Sequence, residues 1–128
     1  MQLKLQPASP IPIYLQIVEQ MRHAIAAGIL QPNDEVPSVR ALALEHLINP
    51  NTVARAYLEL EREQLLSKRR GAGTYVSASA AALGGEYRQR AVGELLQKAV
   101  AAAGEFGLTA SQVHGLLDER LKRAEVER

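Results

Sequence analysis

Apolar residues first recur at helical spacing in Tyr14, Ile17, Val18, Met21 and Ile25, one stripe of a helix that begins near Pro12 and stops at Gly28. Proline suits a first helical turn, where its missing N–H has no intrahelical partner to lose. From Ile29 to Pro37 two prolines and an Asn-Asp pair break any period, and the segment reads as an ordered loop. Ser38 then precedes Val39, Leu42, Ala43 and Leu47 and predicts the N-cap of a short second helix. Directly after Ile48, Asn49 can cap, Pro50 can take the first helical position, and a third helix runs to about Glu63. Two helices joined by so tight a turn are the signature of a helix-turn-helix.

After Leu65 and Leu66 the helical period ends. In the run SKRRGAGTYVS, Gly71 and Gly73 permit a tight hairpin while Thr74, Tyr75 and Val76 favour a strand, the expected form of a wing. Ser77 to Gly85 is small and of low complexity and reads as a connector, its helicity left open. A broad apolar stripe follows from Tyr87 through Val92, Leu95, Leu96 and Val100 to Phe106, on a helix of about 20 residues. Gly104 and Gly107 bracket its end, and Thr109 with Gln112 match a capping box that opens a last helix carrying Val113, Leu116, Leu117 and Leu121. Two such helices cannot bury both stripes between themselves, so they are expected to pack on another copy of the chain rather than on the N-terminal part. The expected fold is mostly α with a small β-hairpin: a winged helix-turn-helix domain over 1–77, then a linker and helical dimerisation region over 78–128.

Composition narrows the class. At 128 residues a second full domain does not fit. A hydrophobic share of 47% beside 23% charged residues belongs to a soluble folded protein, and no run approaches the roughly 18 apolar residues of a membrane span. The N-terminal run MQLKLQPASPIPIY is too short in apolar residues for a secretion signal, and the expected location is the cytoplasm. Cysteine is absent, which excludes disulfides, thiolate metal sites and cysteine nucleophiles. The net charge of +1 does not point to nucleic acid: up to Ser77 there are 8 Lys+Arg against 7 Asp+Glu, and beyond it 7 against 7. A case for DNA therefore rests on where particular charges sit.

The third helix carries that case. Val53, Ala56, Tyr57 and Leu60 share one side, while Asn51, Thr52, Arg55 and Arg62 lie largely on the other. Short polar groups followed by an arginine at a helix start suit a major groove, where Asn pairs with adenine and Arg with guanine. The plainer alternative stands beside it: Asn49 only caps, Asn51 and Thr52 satisfy first-turn donors, and the arginines form surface ion pairs. Arg40 opposes the macrodipole at the start of the second helix, which a phosphate contact or an ion pair with Asp34 or Glu35 would explain. Lys68-Arg69-Arg70 beside Gly71-Ala72-Gly73 is the one dense positive run, and its glycines would let backbone approach a phosphate or narrow groove. His23, His46 and His114 have no carboxylate or second histidine at ligand spacing, and no phosphate loop or Ser/His/Asp set is present. No metal, cofactor or enzymatic activity is expected.

The segments PIYLQIVEQMRHAIAAGIL, VPSVRALALEHL, INPNTVARAYLELE and GAGTYV, in this order and spacing, resemble the GntR family of bacterial regulators and its short YtrA-like subfamily. The resemblance runs from about Pro12 to Ser77 and continues more loosely through the C-terminal helices. It implies a recognition helix in the major groove, a wing on the adjacent backbone or minor groove, and two C-terminal helices that dimerise. By motif position the DNA-binding residues would be Arg40, Asn49, Asn51, Thr52, Arg55 and Gly71, with Arg69 and Arg70 close by. Asn33 and Gln64 stand where the family usually has glycine, and Ala54 where many relatives have arginine, so base reading falls to Arg55. The resulting expectation is a cytoplasmic homodimeric regulator, usually a repressor in this subfamily, that binds an inverted repeat in double-stranded DNA with half-sites roughly 10 base pairs apart. A small-molecule effector, if one exists, would use the dimer interface or the cleft between the two parts. The rival reading is a winged-helix module that meets protein instead of DNA.

Overall fold

A computed structural model describes residues 2–127, the side chain of Leu83 excepted; Met1 and Arg128, the outermost residues of the two expected regions, lie outside it. The elements are α1 (Ile13–Ala26), β1 (Glu35–Val36), α2 (Val39–His46), α3 (Pro50–Arg62), β2 (Leu66–Arg69), β3 (Gly73–Val76), α4 (Ala80–Glu105) and α5 (Ala110–Glu127). By contacts the chain divides into two compact units, one ending at Arg88 and one starting at Gln89.

In the first unit, α3 packs on both α1 and α2. Ile17, Val18 and Met21 of α1 meet Val53, Tyr57 and Leu60 of α3 in the core, all at 2% exposure or less. Each such side chain contributes about 1.5–3 kcal/mol by leaving water. Arg22 ties the same two helices at their other end, its Nη2 donating to Glu63 Oε1 at 2.5 Å while Nη1 donates to Glu19. Burial works against that guanidinium's charge, but the bonds to Glu63 and Glu19 outweigh it and hold its pKa above the usual value. The chain before α1 lies along it: Gln20 exchanges two 2.8 Å bonds with the backbone of Lys4, and Gln16 exchanges bonds of 2.8 and 3.0 Å with that of Gln6. Leu3 is thereby buried in the core.

The wing is a three-stranded antiparallel sheet in the order β1-β3-β2. Leu66 pairs with Val76 and Arg69 with Gly73 across the hairpin, and Glu35 pairs with Tyr75 on the other edge of β3. The segment Ile29 to Pro37, expected as loop throughout, therefore contains a strand. Two residues carry no readable period; β1 exists because β3 offers it an edge, with Val76 N donating to Asp34 O at 2.8 Å and Asn33 N to Val76 O at 2.8 Å. The connector Ser77 to Gly85 is also mostly helix. Alanine is the best helix former, and Ala80 is fully buried at 0% exposure, so α4 starts there and runs 26 residues instead of about 20. Arg88 Nη1 donates to Ala26 O at 3.1 Å beside the early turns of α4.

Helix ends follow one rule. α1, α2, α3 and α4 each close with a left-handed residue whose N–H bonds three back while the next N–H bonds five back, as in Ile29 N to Ala24 O at 2.9 Å and Leu65 N to Leu60 O at 2.9 Å. Gly28 and Gly107 serve α1 and α4, but Leu47 (φ 54°) serves α2 and Gln64 (φ 63°) serves α3. α5 opens with the reciprocal capping box, Thr109 N to Gln112 Oε1 at 2.9 Å and Gln112 N to Thr109 Oγ1 at 3.2 Å. Because a left-handed side-chain residue costs about 1–2 kcal/mol and glycine's chain entropy offsets only part of that, Gln64→Gly should stabilise the fold by about 0.5–1 kcal/mol. Urea denaturation reads this directly, and an unmoved midpoint would refute it.

Candidate nucleic-acid interface

The third helix, α3, begins where its sequence requires. Asn49 Oδ1 accepts from Asn51 N at 2.9 Å, its carbonyl accepts from Thr52 N at 3.0 Å, and Pro50 takes the first helical position. The cap therefore occupies the Asn49 carbonyl oxygen of the side chain. Asn51 and Thr52 do not cap: neither side chain makes a hydrogen bond among the described residues, and Asn51 is exposed. Tyr57 locks the helix from the opposite side, its buried hydroxyl donating to Pro37 O at 2.6 Å, just ahead of α2. Burial pushes that phenol well above its ordinary pKa, so it stays a donor at neutral pH.

The arginines separate into two kinds. Arg62 pairs with Glu59 at 3.7 Å, a surface ion pair of the kind the plainer reading anticipates for the arginines of α3, and Lys68 pairs with Glu61 at 3.9 Å. Arg40, Arg55 and Arg70 are exposed and make no ion pair among the described residues. The ion pair of Arg40 with Asp34 or Glu35 is absent; Asp34 instead accepts from Gln31 N at 2.8 Å. Arg55 lies over the ring of Tyr14, with its Cζ 3.8 Å from the centroid.

At the wing tip, Ala72 N donates to Arg69 O at 2.9 Å, closing a turn with Arg70 second and Gly71 third at φ 74°. That angle is the one a type II turn demands of its third residue, and glycine meets it without strain. Arg70 thus stands at the tip. Arg69, next to it in sequence, is engaged: its Nη2 donates to Asn33 Oδ1 at 2.6 Å and its Cζ lies 4.1 Å over Tyr75, whose hydroxyl donates to Ala72 O at 2.9 Å. The structure thus gathers Asn49, Asn51, Thr52 and Arg55 on the first half of α3, Arg40 on the first turn of α2, and Arg69, Arg70 and Gly71 on the wing. The partners of the stacked arginines, Tyr14, Tyr75 and Asn33, carry no signal in a residue pattern, because each meets its arginine only after folding. Among the described residues no three His, Cys, Asp or Glu side chains gather as metal ligands.

The family model for bacterial regulatory proteins of the gntR family matches residues 13–76. The chain belongs to the GntR family. It is 38% identical over 117 residues to the HTH-type transcriptional repressor YtrA of Bacillus subtilis (strain 168), covering 91% of this chain and 90% of that protein. A solved transcriptional regulator from Oenococcus oeni is 31% identical and superposes with a TM-score of 0.76 over 94% of this chain and 99% of that one. AraR(DBD), solved in complex with operator ORR3, is 26% identical with a TM-score of 0.50 over 60% of this chain and 93% of that one. The protein is thus a DNA-binding transcriptional regulator with a winged helix-turn-helix, of the YtrA-like kind, and not an enzyme. Among the described residues no helix is long and apolar enough to cross a membrane.

In this GntR domain the Tyr57 hydroxyl joins the recognition helix to the start of α2. Tyr57→Phe leaves the Pro37 carbonyl without its donor and is expected to cost about 1–3 kcal/mol of folding stability. Matched urea melts check it; a loss below about 0.3 kcal/mol would mean that water replaces the hydroxyl at no cost.

Proposed function

We propose that this chain is a homodimeric repressor that binds an inverted repeat in double-stranded DNA, acting in the cytoplasm. Its residues 1–77 bind the DNA and the helices of 78–128 join the two copies. The observation that carries the reading is the first half of α3, where Asn51, Thr52 and Arg55 keep their side-chain donors free of internal hydrogen bonds while the opposite side of the helix is buried. Such a surface suits a major groove, with Arg55 pairing bidentately with a guanine and Asn51 with an adenine. Arg40 opposing its helix dipole without a carboxylate partner suits a phosphate. Arg70 and the Gly71 backbone at the wing tip suit the neighbouring backbone or minor groove. Arg69, held by Asn33 and Tyr75, supports the wing beside them.

The second unit supports the dimer. Val92, Leu95 and Val100 on α4 and Leu121 on α5 are more than half exposed, and Phe106 is 81% exposed. An apolar hollow of about 420 Å³ lies between these helices, lined by Leu96, Val100, Phe106, Leu116 and Leu117 among others. A contiguous apolar surface of that kind in one chain is matched by the same surface on a second copy, as two-fold symmetry provides.

Arg55→Ala should weaken binding to a site selected from random DNA by about 1–3 kcal/mol while hardly touching random duplex. Arg70→Ala should weaken both alike and lower the salt slope by about 1. Anisotropy titrations across a salt series separate the two, and an Arg55→Ala chain that keeps full discrimination removes Arg55 from base reading. Sedimentation equilibrium at micromolar concentration is expected to return twice the 13.9 kDa chain mass. A stable monomer there would overturn the dimer and leave the DNA-binding surface to be judged on its own.

A further inference from the structure

Arg55 sits in an arrangement that neither capping nor core packing accounts for. Its guanidinium carbon lies 3.8 Å over the centroid of the Tyr14 ring, and it makes no ion pair or hydrogen bond among the described residues. Carboxylates are available nearby in sequence, yet Glu59 pairs with Arg62 and Glu61 with Lys68. Face contact with a ring restrains the guanidinium plane of an arginine while leaving its N–H fork free for an acceptor. Arg69 provides the internal contrast: it also lies over a ring, Tyr75, but spends a fork nitrogen on Asn33 and so is braced. Tyr14 comes from the first turn of α1, is partly buried and packs against the core, so the ring is anchored where the arginine is not. Its hydroxyl has no hydrogen-bond partner among the described residues, which leaves the aromatic face as the group in use.

We propose that Tyr14 is a positioning residue for DNA recognition: its ring holds the Arg55 fork at the angle a guanine edge requires, so that discrimination at one base pair depends on a side chain of α1 that touches no base. This rests on the DNA-reading assignment of Arg55. An unrestrained arginine loses rotamer freedom when it enters a groove, and a side chain held in place before binding loses less. The benefit appears only where the fork is used, at the specific site, and not in phosphate contacts that any orientation of the charge satisfies.

The test uses the whole chain, with affinities for a selected operator and for random duplex measured at fixed salt. Tyr14→Leu should weaken operator binding on the order of fivefold and leave random-duplex binding unchanged, the loss corresponding to a stack of this kind. Tyr14→Phe, which keeps the ring, should stay within about twofold. In an Arg55→Ala background Tyr14→Leu should add nothing, since the two act as one unit. In the free protein the Arg55 Nε–H resonance should carry a ring-current shift that Tyr14→Leu abolishes and Tyr14→Phe preserves; Tyr14→Met serves as the second ring-free variant should Leu fail to fold. The proposal is overturned if Tyr14→Phe loses as much as Tyr14→Leu, if the loss persists without Arg55, or if random duplex is weakened equally. A wild-type chain that prefers no sequence defeats the DNA reading itself, and the resonance, measured without DNA, tells that failure apart from a mistaken role for Tyr14.

Discussion

Val53, Ala56, Tyr57 and Leu60 recur along one side of α3, and all of them are at 2% exposure or less. With the larger side chains worth about 1.5–3 kcal/mol each on burial, a rotation of the helix by even one residue would forfeit an amount comparable to the net stability of a small domain. The orientation of α3 is thus fixed by its apolar side, and the polar side faces out by default. Asn51, Thr52 and Arg55 need no interaction of their own to be presented. The Tyr57 hydroxyl bond to Pro37 from mid-helix and the Arg22 pair with Glu63 at the C-terminal end add direction to a helix that its core already holds.

The chain enters and leaves α3 through left-handed residues that are not glycine. Leu47 closes α2 two residues before the Asn49 cap, and Gln64 closes α3 two residues before β2. Both accept backbone strain that the flanking packing must offset, Leu60, Leu65 and Leu66 beside Gln64 being buried in the common core. Strain and exposure go together at Leu47, which is 87% exposed on the turn itself. The recognition helix is therefore held by geometry at its ends as well as by its buried side.

Two arginines rest on tyrosines in the first unit, and their different fates follow from what else is within reach. Asn33, left-handed at φ 72°, turns its side-chain carbonyl to Arg69 and makes that arginine part of the wing. Nothing comparable meets Arg55, which keeps its fork. The same stacking gives a brace in one place and an open guanidinium fork in the other because a single acceptor is present or missing.

The sequence by itself determined the helices, their caps and the sided character of α3. These depend on local rules: Ser38, Asn49 and Thr109 are the cap residues of α2, α3 and α5, and apolar spacing marks the core positions. It also determined the family, through four blocks in order, and with it the candidate site by position. The tertiary structure alone decided β1, the early start of α4 at Ala80, and which cations are free. A two-residue strand has no period of its own and forms only against the edge of β3, and an alanine-rich connector becomes helix once Ala80 has a core to enter. Whether an arginine is paired, braced or open is a matter of distances between residues far apart in the chain, such as Arg69 and Asn33 or Arg55 and Tyr14, and no local pattern encodes these.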